Sequence, residues 1–287
     1  MPSHNKKDIS GIDPESILSI DDREELFSIF NEVMRLLRSP KGCKWDREQD
    51  HRSLQRNLIE EAYETVEAIE AGDDGSLKEE LGDLLLQVVF HSQIASEEDS
   101  FDIKDVLKSI ICKLVRRHPH VFGEKTVNSS EEVLANWEDI KKQERKSKGG
   151  DGRDSIFKNI PKILPALHYA YEVQSRAKRL GFDWDTKEEV FKKIEEESDE
   201  LKLAMTEDDL SIVSEELGDM LFSIVNLSRH FDIDAEAALR DTSKKFIERF
   251  DLMEEIAKEK GIDFRSLSLE EKDKLWEEAK GKIDEKD

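Results

Sequence analysis

The 287-residue chain sets 68 Asp and Glu against 45 Lys and Arg, a net charge of −23. A field of that sign repels phosphate backbones and argues against general nucleic-acid binding. No apolar run approaches the ~20 residues of a membrane span, and the polar N-terminus lacks the apolar core of a leader peptide.

Gly (13) and Pro (6) are scarce, and few stretches alternate apolar and polar residues, so the fold is expected to be all-α, in about two domains. Cys43 and Cys112 sit in no metal-spaced pattern and read as reduced structural thiols of a cytoplasmic protein.

In chain order, residues 1–21 form a polar tail and 22–125 a first domain. Its helices are expected over 22–38, 52–71, 76–97 and 102–117. Gly72-Asp73-Asp74-Gly75 reads as the turn between the second and third, with Ser76 as N-cap. Residues 126–160 hold a helix over 131–145, opened by Ser129 or Ser130, and a flexible linker over 146–152. A second domain over 161–258 begins with Pro161 or Pro165 in the first turn of a helix. Its helices are expected over 162–180, 186–205, 207–230 and 234–258. Residues 259–287 are a charged tail in which Trp276 marks a short amphipathic helix.

The two domains repeat one another. Glu-Glu-Leu-Gly-Asp stands at 79–83 and again at 215–219, a shift of 136, and Glu60, Glu61 and Glu64 recur at the same shift as Glu196, Glu197 and Glu200. Gly42-Cys43-Lys44-Trp45-Asp46 matches Gly181-Phe182-Asp183-Trp184-Asp185 at a shift of 139. Lys113 and Arg117 match Lys245 and Arg249 at a shift of 132.

An acid-acid-x-x-acid pattern arises by chance roughly four times in so acidic a chain, and a solvated helix face is its ordinary meaning. Two five-acid sets in one register are a different matter. The helix after Asp83 continues Leu84, Leu85, Leu86, Gln87, Val88, Val89, Phe90, apolar almost all round and therefore buried on most faces. Glu80 and Asp83, three apart, project from one side of it, as do Glu61 and Glu64 from the helix before. Antiparallel packing across the short turn can set the pairs opposite each other. Carboxylates beside a buried helix are costly without cations. With no His or Cys nearby, the set suits Mg²⁺, or Mn²⁺, rather than zinc.

The pattern EExxE, then ExxD 16 residues on, resembles the signature of MazG-type nucleoside triphosphate pyrophosphohydrolases of the all-α NTP pyrophosphatase superfamily. Gly42 to Asp46, Gly181 to Asp185, Arg116-Arg117-His118-Pro119-His120-Val121-Phe122, and Trp137 with Ile140-Lys141 fit the same family. The resemblance covers about 24–257 and implies two tandem four-helix domains, completed as bundles by homodimerisation. It implies hydrolysis of (d)NTPs to the monophosphate and pyrophosphate, in nucleotide-pool housekeeping or stress nucleotide control.

By the same analogy Glu61, Glu64, Glu80 and Asp83, then Glu197, Glu200, Glu216 and Asp219, hold Mg²⁺, while Glu60 and Glu196 complete the motif or act as bases. Lys113, Arg117, Lys141, Lys245 and Arg249 are candidate phosphate contacts. Trp45, Trp137 and Trp184 could stack on a base, although for Trp45 and Trp184, each following a Gly at a helix end, core packing is the better reading. His118 and His120 read as structural groups or minor phosphate contacts. A narrower dUTP or dCTP pyrophosphatase, a silent helical regulator, and one catalytic with one regulatory copy remain as alternatives.

Overall fold

A computed structural model describes residues 13–124, 155–207 and 209–284, and positions 126, 127, 129, 132, 133, 136, 137, 140 and 144. The chain divides into two compact units, 1–148 and 149–287. The described residues form helices and no strands. The fold is all-α, as the sequence leads one to expect.

In the first unit the helices are α1 (Pro14–Ile17), α2 (Arg23–Leu37), α3 (Lys44–Glu48), α4 (Gln55–Ala71), α5 (Asp74–Glu97), α6 (Ile103–Arg117) and α7 (Pro119–Phe122). The single-turn helices α1, α3 and α7 are additions to the four expected, and α1 falls inside the expected tail. Asp carboxylates cap the long helices: Asp22 accepts the N–H groups of Glu24 and Glu25, and Asp102 forms a capping box with Asp105.

The turn between α4 and α5 is shorter than expected. Asp73, not Ser76, is the N-cap: its Oδ1 accepts from the N–H groups of Gly75 and Ser76, and the Ser76 hydroxyl donates to its Oδ2 at 2.8 Å. The acid nearest the turn takes the cap, so Asp74 and Gly75 join the helix. α4 and α5 thus pack closely side by side, with α2 and α6 on the flanks of α5. Met34, Leu54, Val89, Phe90 and Ile94 form the core, with Phe27, Phe30, Leu86 and Ile103 around it.

Most of the expected 131–145 helix and all of the 146–152 linker lie outside the described residues. The described positions 132, 133, 136, 137, 140 and 144 are helical, and Ser129 Oγ accepts the Glu132 N–H.

The second unit holds α8 (Ala166–Lys178), α9 (Lys187–Glu207), α10 (Leu210–His230), α11 (Ala235–Glu259), a 3₁₀ turn at Phe264–Ser266, and α12 (Leu269–Asp284). Pro165 is the N-cap of α8 rather than a residue of its first turn. α9 and α10 repeat the α4–α5 pair, and α8 and α11 pack on α10. The C-terminal segment is more than a tail. Leu275 and Ala279 of α12 are buried against Met253, Ile256 and Ala257 of α11. The Trp276 ring packs at a tilt against Phe246, with centroids 5.1 Å apart.

Candidate metal and nucleotide site

In the first unit the α4–α5 pair brings three acids together. One carboxylate oxygen each from Glu61, Glu64 and Glu80 lie within 4.8 Å of one another. Asp83 stands at their edge, and its charge acts on both Glu61 and Glu80. Burial raises the Glu61 carboxyl above the ordinary range, and the charges of Asp83 and Glu64 add to it. Glu80 is raised by burial, then by Glu64 and Asp83. Among the described residues no Lys or Arg pairs with any of the four. Clustered carboxylates that raise one another are charges short of a counter-ion, and an all-oxygen donor set fits a hard divalent cation.

In the second unit Glu197, Glu200 and Glu216 repeat the arrangement, again within 4.8 Å. Burial raises Glu200 and Glu216; Glu197 adds to both, and Asp219 to Glu216. A lysine enters this copy. Lys193 Nζ lies 2.8 Å from Glu197 Oε1 and 2.9 Å from Glu196 Oε1. Its ammonium is held well above the usual lysine range by those two carboxylates. Glu197 is only 4% exposed.

Glu60 and Glu196 stand apart from the triads. Each is paired on its own helix, Glu60 with Arg56 Nε at 2.9 Å and Glu196 with Lys193.

The candidate phosphate contacts are dispersed. Lys113 and Lys245 are exposed on α6 and α11. Arg117 shares Glu144 with Arg116 and lies 5.8 Å over the Trp137 ring. Arg249 lies 5.6 Å over the Trp276 ring. Lys141 is outside the described residues. His118 Nδ1–H donates at its own helix end to the Leu114 carbonyl at 2.7 Å, and its ring neighbours His120. Trp45 and Trp184 are 55% and 45% exposed, so neither is a core residue. Cys43 and Cys112 are free and exposed, so they do not serve the core either.

Beside the second triad opens a cavity of about 660 Å³, whose lining includes Lys193, Glu197 and Asp219 together with Gln174, Asp183, Trp184, Phe222, Asn226 and Arg229. At the shift of 136, Asn226 corresponds to Phe90, which is 3% exposed and lies beneath the Arg38 guanidinium. That wall of the first unit is therefore filled by an aromatic core residue. The large cleft of the first unit, about 780 Å³ between α2, α5 and α6, touches none of its cluster acids. Sequence reasoning missed Lys193, Gln174 and Asn226. Lys193 had a readable signal, its i,i+4 spacing to Glu197; the other two are amides whose placement depends on tertiary packing.

Tandem helical units, each with facing ExxE and ExxD carboxylates, define a class of all-α protein with two all-oxygen acid clusters that could hold a divalent metal. The MazG nucleotide pyrophosphohydrolase domain matches the chain twice, at residues 49–122 and 185–253. A nucleoside triphosphate pyrophosphohydrolase/pyrophosphatase MazG of Thermotoga maritima is 49% identical over 256 residues, 89% of this chain and 96% of that protein. A nucleoside triphosphate pyrophosphohydrolase of Escherichia coli K12 is 42% identical over 251 residues, 86% of this chain and 94% of its own length. YabN of Bacillus subtilis, 46% identical over 255 residues, is covered over 51% of its length. The chain belongs to the MazG family and is a hydrolase of the nucleotide pyrophosphohydrolase type.

Proposed function

We propose that the chain hydrolyses (d)NTPs between the α- and β-phosphates, releasing the nucleoside monophosphate and pyrophosphate, with Mg²⁺ held by the clustered carboxylates. The observation that carries this is the cavity beside Glu197 and Asp219, whose lining supplies both charged groups, Lys193 among them, and the rings of Trp184 and Phe222. A triphosphate has one end for each. Glu61, Glu64, Glu80 and Asp83 would hold the metal in the first unit, and Glu197, Glu200, Glu216 and Asp219 in the second. The metal supplies Lewis acidity and charge neutralisation for the phosphates. Lys193 adds a fixed cation at the second cluster, where the leaving pyrophosphate gathers charge. Glu60 and Glu196, on the flanks, orient or deprotonate water.

The exposed apolar residues of α5, Leu81 at 51%, Leu85 and Val88 both at 42%, support a homodimer that covers them. Nucleotide-pool housekeeping, or control of nucleotides under stress, is the role such an activity serves. No described helix is long and apolar enough to cross a membrane.

The deciding experiment incubates the pure protein with each common (d)NTP and its deaminated counterpart, with Mg²⁺ or with chelator. Monophosphate plus pyrophosphate, formed only with metal, is the expected result. Diphosphate plus phosphate would place the cleavage at the wrong bond, and no product would bring the regulator reading forward.

A further inference from the structure

Asn226 of α10 is locked in one orientation by its neighbour. Its Oδ1 accepts from Arg229 Nη2 at 2.6 Å. A guanidinium only donates, so this bond turns the amide oxygen toward Arg229 and the amide nitrogen away from it. Arg229 is itself held: it is buried and grips Asp183 with two nitrogens, Nη1 standing 3.0 Å from Oδ2. An asparagine that can flip offers a ligand either a donor or an acceptor. This one offers a donor.

That donor is unspent. The Nδ2 group makes no hydrogen bond among the described residues, and it is not one of their fully shielded polar atoms, so it keeps accessible surface. Asn226 lines the same cavity as Trp184, Phe222, Glu197 and Asp219. The helix sets its distance from the acids. Asp219 precedes it by seven residues, two turns of α10, so the two share nearly one face and stand about 10 Å apart along the axis. Phe222, four residues before Asn226, is its neighbour on that face. A nucleotide with its phosphates gathered at the acids reaches this far with its base. In the first unit the corresponding position is Phe90, buried and without a donor.

We infer that Asn226 is a base-reading residue of the second unit: its Nδ2 donates a hydrogen bond to a carbonyl oxygen or ring nitrogen of the bound nucleobase. This rests on the nucleoside triphosphate reading proposed above. Every common base carries such an acceptor, so the contact recognises a base as such and suits a site of broad substrate range. Asp183 and Arg229 act behind it as positioning residues, by denying the amide its other orientation.

The test measures inhibition of triphosphate hydrolysis by three competitors: the nucleoside monophosphates, ribose 5-phosphate, which lacks the base, and pyrophosphate, which lacks the nucleoside. The full chain carries Glu80→Gln throughout, to silence the first cluster. Asn226→Leu removes the donor. Asn226→Asp removes it too, yet keeps an acceptor for Arg229. Both variants should weaken monophosphate binding by about tenfold. In Asn226→Leu the inhibition constants of ribose 5-phosphate and pyrophosphate should stay within about twofold of the parent chain. Undiminished monophosphate binding in Asn226→Asp overturns the inference, because Asn226 would then serve only to hold Arg229. Equal weakening of all three competitors in Asn226→Leu overturns it as well, since the effect would not lie at the base. Hydrolysis that is present in the wild type and vanishes with Glu80→Gln also overturns it, because the cavity would then not be the working site. Failure of the wild type to hydrolyse any triphosphate is distinguishable from all of these, and removes the reading together with the inference.

Discussion

Lys193 Nζ lies 2.8 Å from Glu197 Oε1, whereas the position that corresponds to Lys193 in the first unit is Asn57. The two acid clusters therefore differ by one fixed positive charge. Lys193 competes with a metal for Glu197 as long as no phosphate is present to draw the ammonium away. Lys193→Met, in a chain whose first cluster is disabled by Glu80→Gln, should tighten Mg²⁺ binding by several-fold in the absence of nucleotide, a difference of about 1 kcal/mol. Titration calorimetry reads this directly. Unchanged or weaker affinity would mean that Lys193 does not contend with the metal.

The raised carboxyls make metal stabilisation pH-dependent. Glu61, Glu80, Glu200 and Glu216 all sit above their ordinary values, through burial first and neighbouring acids second. An acid raised in the folded state is unpenalised below its unfolded pKa, where both states are protonated. Its cost appears as pH rises through the folded value and is complete above it. A bound divalent ion removes that cost, and protons compete with the ion at low pH. The rise in Tm on adding Mg²⁺ should therefore be large at pH 7.5 and shrink toward pH 4.5. A pH-independent rise, measured by scanning calorimetry, would rule out these clusters as the source.

Neutralising one acid should separate activity from stability. Glu80→Gln and Glu216→Gln remove a mutually repelling charge from a helix edge, so Tm without metal should hold or rise at pH 7. A chain carrying both should lose turnover by about 100-fold or more, since each is a member of its triad. Full activity in the double variant would exclude the carboxylate site.

The long helices and the all-α class were legible because the apolar periodicity and the duplication reinforce each other. The facing of Glu61 and Glu64 with Glu80 was legible because one short turn joins their helices. What escaped were features that one sequence position can satisfy for different reasons. Gly42 and Gly181 look like one repeated glycine. Yet a Cβ at Gly42 would stand 2.2 Å from the Leu36 and Leu37 carbonyl oxygens, whereas Gly181 has open space and a φ of +79°. One answers a close approach and the other a left-handed helix end. The α12 packing was hidden by its Lys and Glu content, since Leu275 and Ala279 alone form the buried stripe. The committed amides of the cavity carry no periodic signal at all.

The α5 surface offers a test of assembly. Leu81, Leu85 and Val88 recur at helical spacing and are exposed, although the sequence around them reads as buried core. Leu85→Glu should convert a dimer to a monomer in sedimentation at micromolar concentration, with helical content retained. Glycine strengthens the case: Gly82, between them on an exposed face, has nothing within 4 Å of a built Cβ. If the wild type sediments as a monomer, another explanation for that apolar face is needed.

The Asp183–Arg229 pair yields an asymmetric expectation. Arg229 is 4% exposed and gives Asp183 a two-pronged contact, with Nη1 3.0 Å from Oδ2. Asp183 has other partners nearby, the His230 ring nitrogen Nε2 at 3.3 Å and the Lys178 ammonium at 3.9 Å, whereas Arg229 otherwise leans on the neutral Asn226. Asp183→Ala strands a buried guanidinium and should cost about 3 kcal/mol. Arg229→Met keeps an apolar stem in the same space and leaves a carboxylate that is still partly compensated, so it should cost clearly less. The Asp183 carboxyl is held below its ordinary range by the hydrogen bonds and charge of Arg229, against the opposing effect of burial. Its contribution is therefore present above the unfolded Asp pKa and lost as pH falls through the lower folded value. Urea denaturation at pH 7 should show the larger loss for Asp183→Ala, and the gap to wild type should close as pH drops toward 3. Equal losses for the two variants would mean that the pair acts only through packing volume.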